Sequence, residues 1–283
     1  MALSQGIAFI GGGNMATALI QGLIATHTAR REQLLVSDVR AEGLVQLRDK
    51  YGVRTTLDNR AACQSEILVL SVKPQNFAGL LPLIAPHVAP STLIISIAAG
   101  VPLATIEAAL PQSRVVRAMP NTPALVLAGA TAVAPGSKAS ADDLALATKI
   151  FASVGCVVQV EEAQMDAVTA LSGSGPAYVF LLAEALATAG VETGLAPNVA
   201  AVLAAQTIYG AGKLLAESND GPAELRRKVT SPGGTTAAGI AALEARDFAG
   251  AVAACVRAAA ARGAELGKEA TNSLPAGTSK SRS

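Results

Sequence analysis

The sequence predicts an α/β protein in two parts, an N-terminal doubly wound parallel sheet and a C-terminal all-helical domain. Three observations lead there. Short apolar strand patterns alternate with helical segments from Ile7 to Val160. A glycine cluster, Gly11-Gly12-Gly13, stands between the first strand and the first helix. After Glu161 the strand patterns stop, and only long helical periodicities follow.

Residues 7–10 are a short apolar strand, and the helical pattern after the glycines runs to about Thr26. Further strands are predicted at 34–37, 67–71, 93–97 and 115–119, with helical or loop segments between them, the signature of crossover connections in a parallel sheet. Residues 129–134 and 156–160 add two strands around a helix at 141–151. Helices then follow at 163–171, 177–189, 197–217, 222–229, 236–245 and 248–266. Pro197 and Pro222 suit first-turn positions, and Gly190 suits a C-terminal cap. The expected domains are 1–162 for the sheet and 163–268 for the helices. Residues 269–283, polar and rich in Ser, Lys, Arg and Gly, form an expected disordered tail.

Composition narrows the function. The chain is 51% hydrophobic and 15% charged, with no tryptophan, and much of the apolar share is Ala, Val and Leu. Such helices pack closely and have too little polar surface to stand alone, which predicts burial against another subunit. The net charge of +1, with acids and bases interspersed, argues against a nucleic-acid partner. Cys63, Cys156 and Cys255 have no paired spacing and read as buried thiols of a reducing compartment. Only two histidines occur, far apart, so no metal site is expected. The first residues lack the basic stretch of a signal peptide. Apolar runs are read as broken before the ~18 residues a membrane span needs. The expectation is a cytoplasmic protein without a membrane partner.

Gly11, Gly13 and Ala16 fit the fingerprint G-x-G-x-x-G/A of a dinucleotide-binding, Rossmann-type domain. The first glycine allows the tight turn, Gly13 lets a pyrophosphate approach the backbone beside Asn14 and Met15, and Ala16 permits close helix–strand packing. The second strand ends in Ser37-Asp38-Val39-Arg40. Asp38 suits the free ribose hydroxyls of NADH, while Ser37 and Arg40 suit the 2′-phosphate of NADPH, so both cofactors stay open. Two more loops follow strand C-termini, where open α/β sheets bind ligands. One is Ser71-Val72-Lys73-Pro74, whose lysine reads equally as a surface charge. The other carries Ala98 and Ala99, small enough for a nicotinamide ring to lie against the backbone. Asn121, between Pro120 and Pro123, is a candidate for the substrate cleft or an ordinary turn residue. Ser231, Gly233, Gly234, Thr235 and Thr236 stand where a late helix begins, and such a helix start is a seat for a small anion.

With these pieces placed, the sequence resembles pyrroline-5-carboxylate reductase from about Ile7 to Leu266. The motifs are Ile10-Gly-Gly-Gly-Asn-Met15, Val72-Lys-Pro74, Ser96-Ile-Ala-Ala-Gly100, Arg117-Ala-Met-Pro-Asn-Thr-Pro123, Ser172-Gly-Ser-Gly-Pro-Ala-Tyr178 and Thr230-Ser-Pro-Gly-Gly-Thr-Thr236, all in order. The resemblance implies reduction of 1-pyrroline-5-carboxylate to L-proline with NADPH or NADH, the last step of proline synthesis. It implies a helical domain that forms homodimers, which in many members build a decamer. It also implies that Ser231, Gly233, Gly234, Thr235 and Thr236 line the substrate site, and that Asn59 contacts the adenosine part of the cofactor. Asp38 departs from the small polar or basic residue of NADP-preferring members.

The chemistry asks little of the protein beyond position. A protonated imine is already electrophilic, so neither nucleophile nor metal is needed. The helix start at 233–236 suits the carboxylate, its dipole contributing about 0.3–2 kcal/mol. The hydroxyl of Thr236, or second that of Thr235, suits the ring nitrogen. A β-hydroxyacid-type dehydrogenase shares the domain plan but needs a lysine one turn beyond a Gly-rich segment, and residues 172–178 have none. A nucleotide sensor has no need of the intact 230–236 loop.

Overall fold

The computed structural model describes residues 3–272. The elements in chain order are β1 (Ile7–Ile10), α1 (Asn14–Ala25), β2 (Leu34–Ser37), α2 (Ala41–Tyr51), β3 (Arg54–Thr56), α3 (Asn59–Ala62) and β4 (Ile67–Leu70). Next come α4 (Phe77–Ile84), β5 (Leu93–Ser96), α5 (Leu103–Ala109), β6 (Arg114–Met119), β7 (Gly129–Pro135), α6 (Ala141–Ala152) and β8 (Gly155–Gln159). The helical part holds α7 (Met165–Val168), α8 (Gly175–Glu192), α9 (Pro197–Glu217), α10 (Pro222–Lys228), α11 (Thr235–Glu244) and α12 (Phe248–Asn272).

The sheet order is β3-β2-β1-β4-β5-β6-β7-β8. All neighbours are parallel except β6 and β7. The chain winds outward from β1 to β3, then crosses back to β4 on the other side of β1, which makes β1/β4 the switch point. The strands are apolar on both faces because both faces are covered. Ile7 and Phe9 point into one core with Leu19, Leu23, Leu47 and Phe151 of α1, α2 and α6. Ala8 and Ile10 point into the other, with Leu80, Leu81, Leu103 and Ile106 of α4 and α5. Helix α1 reaches the end of α6 so closely that a Cβ on Gly22 would lie 2.6 Å from the Ser153 carbonyl oxygen.

The contact pattern divides the chain into two compact units. One holds the residues up to Gly173 together with those from Ala259 onward, and the other is Ser174–Ala258. The division does not fall at the expected 162/163 boundary. Met165 and Ala170 are buried with the sheet-bearing unit, so the residues just past the last strand belong to its core. Helix α12 continues to Asn272, past its expected end at 266 and the expected domain end at 268, and the rest of the expected tail lies outside the described residues.

Four local readings are corrected. Strand β3 was not expected, because Arg-Thr-Thr is short and polar and lies at the sheet edge. The helix expected at 163–171 is α7 followed by a π-turn at Thr169–Gly173. Gly190 does not end α8. The helix runs on to Glu192, and Gly194 (φ 104°) takes the left-handed position. The Leu195 and Gly194 amides then donate to the Gly190 and Val191 carbonyls, closing a Schellman motif. Gly190 instead lets α9 approach, since a Cβ there would lie 3.1 Å from Cβ of Ala200. Of the three thiols only Cys63 is buried, its pKa pushed up to about 11 by burial and by the Asp58 charge, while Cys156 and Cys255 are exposed.

The helical unit has almost no interior of its own. Among its described residues only Ala200 and Ala204 are buried, while Phe180 and Leu181 of α8 and Val202, Tyr209 and Leu214 of α9 are exposed. Segments Glu162–Glu192 and Pro197–Glu217 are long and apolar enough to cross a membrane by length and composition. That corrects the reading that no apolar run reaches such a length; the alanine-rich middle of each helix carries too few charges to interrupt it.

Candidate active site

A cleft of about 1040 Å³ opens at the C-terminal ends of the strands around the switch point. Gly11, Gly13, Asn14, Met15, Ser37, Asp38, Arg40, Asn59, Ser71, Val72, Lys73, Pro74, Ala98 and Ala99 all line it. Ala16 does not. It is fully buried in the core behind α1, as the packing position of the fingerprint requires.

The glycines differ in what they do. Gly11 has φ 100°, and a Cβ there would lie 2.4 Å from the Ser71 carbonyl oxygen, so residue 11 is glycine for the fold's sake. A Cβ on Gly13 would meet no atom within 4 Å; its empty side is the cleft. Gly13 also caps α1 without a side chain, and no acid stands in the first turn. The first backbone bond of the helix is from the Thr17 amide to the Gly13 carbonyl, 2.9 Å. The amides of Asn14, Met15 and Ala16 therefore end the helix without intrahelical acceptors, beside the positive end of its dipole. A pyrophosphate fits this donor set and this open space.

Asp38 ties the second strand to the glycine turn. Its Oδ2 accepts from the Gly12 amide at 2.8 Å, and its Oδ1 accepts from the Arg40 amide at 2.9 Å. The Arg40 guanidinium forks onto both oxygens, with Nε–Oδ1 at 3.2 Å and Nη2–Oδ2 at 3.3 Å. Burial pushes the carboxyl pKa up, but the hydrogen bonds from Arg40 and Gly12 outweigh it and hold the group below its ordinary value. The Arg40 side chain is 67% exposed and that of Asp38 only 9%. Solvent screens an exposed fork and leaves it worth little, so the Gly12 bond is the firmer link. Ser37 donates to Oδ1 of Asn59 at 2.5 Å, which turns the amide group of Asn59 into a donor at the cleft.

The remaining walls are loops and one face of α4. Lys73 is exposed and makes no ion pair among the described residues, so its charge is available to an anion in the cleft. Val39 and Leu83 also line the cleft while 87% and 69% exposed, and the sequence reading passed over both. Val39 carried a signal, an apolar side chain beside the charged end of β2 that suits the face of a base; Leu83 lies within α4 and carried none.

The loop expected to hold the substrate lies in the other unit. Gly233 has φ 70° and Gly234 donates to the Ser231 carbonyl at 3.0 Å, turning the chain into α11. Gly234 caps that helix without a side chain, and its first backbone bond runs from the Ala238 amide to the Gly234 carbonyl at 3.2 Å. The amides of Thr235, Thr236 and Ala237 are thus a second donor set of the same kind. Ser231, Gly233, Thr235 and Thr236 are exposed.

Asn121 does not present a free side chain. Its Nδ2 donates to the Ser172 carbonyl and hydroxyl at 3.2 and 3.3 Å, and its Oδ1 accepts from the Ala130 amide at 2.9 Å. These bonds make Asn121 a clamp that holds the end of β6 between β7 and the π-turn. Gly173 belongs to the same junction, where a Cβ would lie 2.5 Å from Cε of Met119.

Comparison with known proteins agrees with this geometry. Residues 162–266 match the family described as pyrroline-5-carboxylate reductase dimerisation. Residues 6–100 match the family described as NADP oxidoreductase, coenzyme F420-dependent. The chain is 47% identical to a pyrroline-5-carboxylate reductase of Synechocystis sp., over 95% of this chain and 100% of that one. The structure of a pyrroline-5-carboxylate reductase from Coxiella burnetii superposes with a TM-score of 0.88 at 39% identity, covering 93% and 99% of the two chains. A Plasmodium falciparum pyrroline carboxylate reductase with NADP bound gives a TM-score of 0.83 at 30% identity, covering 94% and 100%.

Gly13→Val separates binding from folding. Residue 13 has φ −76° and ψ −172°, open to any side chain, so the fold is expected to survive. The valine fills the space over the α1 amides, and dinucleotide affinity is expected to fall by on the order of 1.5–3 kcal/mol, about tenfold or more. A titration giving wild-type affinity would move the dinucleotide elsewhere.

Proposed function

The chain belongs to the pyrroline-5-carboxylate reductase family, and we infer that it reduces 1-pyrroline-5-carboxylate to L-proline with NADPH or NADH, the last step of proline biosynthesis. The observation that carries this reading is the end-to-end identity of 47% to a reductase across 95% of the chain. The bound dinucleotide supplies the hydride that goes to the imine carbon. The protein's own residues bind, orient and dehydrate.

In this reading the α1 amides and Lys73 hold the pyrophosphate, and Ala98 and Ala99 form the flat wall for the nicotinamide. The amides at the start of α11 and the Ser231 hydroxyl hold the substrate carboxylate. The Thr236 hydroxyl accepts from the iminium N–H and donates to the ring nitrogen once hydride has arrived, with Thr235 as second choice. A threonine hydroxyl is too weak an acid to protonate the imine, so the proton enters with the substrate or through water. Asn121 acts through its clamp on β6. The exposed apolar faces of α8 and α9 support a homodimer through the helical domain, and a decamer is the larger assembly we propose from the family. Three free thiols, two of them exposed, support a reducing, cytoplasmic setting.

Oxidation of NADPH or NADH in the presence of 1-pyrroline-5-carboxylate is the direct test, and its absence with both cofactors sinks the reading. In that assay Thr236→Ala is expected to lose about 1–3 kcal/mol in kcat/KM with the fold intact. Wild-type kinetics would remove Thr236 from the mechanism.

Cofactor choice turns on Asp38 and Arg40. Asp38 repels a 2′-phosphate and holds the arginine that would attract it. Asp38→Ser frees that arginine and is expected to raise the NADPH/NADH ratio of kcat/KM by about 1 kcal/mol, some fivefold. Arg40→Ala is expected to move the ratio the other way. An unchanged ratio in both variants means that these residues do not read the ribose.

Light scattering is expected to show at least a dimer at micromolar concentration. A stable, active monomer contradicts the proposed assembly.

A further inference from the structure

The loop from Ile97 to Pro102 has two sides. Ile97, Ala98 and Ala99 line the dinucleotide cleft, while Gly100 and Pro102 line a second cavity of about 600 Å³. Arg117 of β6 and Glu162 border that second cavity as well. Cavity volume lies behind Gly100 and Pro102, while Ala98 and Val101 pack into the core beside α4 and α5 and α12 touches the loop at Gly100. Gly100, at φ 69°, accepts that touch, since a Cβ there would lie 3.3 Å from Cβ of Leu266.

The first end is the end of β5. The second is Leu103, the opening residue of α5, whose amide has no capping side chain from Pro102. Glu162 supplies the acceptor instead, with its Oε1 at 3.0 Å from the Leu103 amide. The same oxygen takes the Arg117 guanidinium, Nη1–Oε1 at 2.6 Å. The Arg117 side chain is only 4% exposed. Nε and Nη2 of Arg117 and Oε2 of Glu162 are buried without a partner among the described residues. As stabilisation this gains little, because Arg117 is buried with unmet donors while the Glu162 side chain is 32% exposed, and such pairs often do no better than apolar residues of the same size. Its geometry suits a strut: the ion pair fixes Glu162, and Glu162 fixes the end of the loop.

We propose that Glu162, held by Arg117, is a positioning residue that sets the height of the Ala98-Ala99 wall in the cleft. The proposal rests on the reading of that cleft as the dinucleotide site. Its effect falls on the alignment of the reacting atoms, where a displacement of an ångström costs up to about a hundredfold in rate, and less on affinity, which the α1 amides carry.

Two double variants separate the strut from plain packing. Arg117→Met with Glu162→Gln and Arg117→Met with Glu162→Leu both remove the buried charges together, so neither leaves an ion unpaired. The glutamine keeps an oxygen for the Leu103 amide, and the leucine does not. The Met/Leu pair is expected to lose about tenfold or more in kcat against the Met/Gln pair, with dinucleotide Kd changed less than about threefold. Amide hydrogen exchange of residues 98–101 and 103, measured without dinucleotide, is expected to be at least about tenfold faster in the Met/Leu pair. If the Met/Leu pair does not fold, Glu162→Asp replaces it: it keeps the charge, shortens the reach by one methylene, and is expected to give the same loss of kcat and the same faster exchange. Equal kcat and equal exchange in the two folded pairs, or wild-type values in Glu162→Asp, overturn the proposal. A kcat loss wholly matched by weaker dinucleotide binding overturns it too. Failure of the cleft reading looks different, since Gly13→Val would then leave dinucleotide affinity untouched while the exchange contrast persists.

Discussion

At the switch point of the sheet, the Ser71 carbonyl oxygen stands 2.4 Å from where a Cβ of residue 11 would be. Only glycine fits that approach, and only glycine holds φ 100° without strain. The rest of the cleft follows from this contact. Because β1 turns so tightly against the end of β4, α1 starts directly over the strand ends, and its unpaired amides face the open side of Gly13. The loops after β4 and β5 then become the walls of the same space. A bulkier residue 11 would push the turn outward and move the amides away from the two loops that complete the site.

Polar groups in this protein are placed where the fold needs a position held. The Asp38 carboxylate accepts from the Gly12 amide, so the residue that reads the ribose in our proposal also fixes the glycine turn. Ser37 orients Asn59 by one short hydrogen bond. Asn121 bonds Ser172 through its Nδ2 and Ala130 through its Oδ1, joining β6, β7 and the π-turn. Glu162 caps α5 while paired with a buried arginine. In each case an acceptor or donor far along the chain sets the conformation of a short loop that has little apolar surface of its own to bury. Hydrophobic burial is strong but undirected, whereas a hydrogen bond fixes distance and angle.

The helical unit shows the opposite economy. Its helices carry few charges, bury almost nothing within the chain, and leave Phe180, Leu181, Val202 and Leu214 exposed. The family match over residues 162–266 assigns that stretch to dimerisation. Apolar length alone gives the same signal for a membrane span and for a helix that meets a partner, since both remove the same surface from water.

The sequence by itself determined the parallel sheet, the glycine turn, both helix starts and the family, because these depend on local patterns: apolar period, glycine where φ is positive, proline in a first turn. Of the residues it proposed for the cofactor, fourteen line the cleft, from Gly11 to Ala99, and Ala16 lies buried behind it. It missed what lies far apart in the chain. Strand β3 has no apolar run to mark it and exists because β2 offers it an edge. Gly190 looked like a helix end and proved to be a packing site, because the Ala200 side chain that needs the space is on another helix. Asn121 looked like a ligand-facing amide until the tertiary structure supplied Ser172 and Ala130 as its partners. The Arg117–Glu162 pair left no trace in the sequence pattern, for a buried ion pair has no period and no composition. Only the folded chain brings residues 45 apart to within a hydrogen bond.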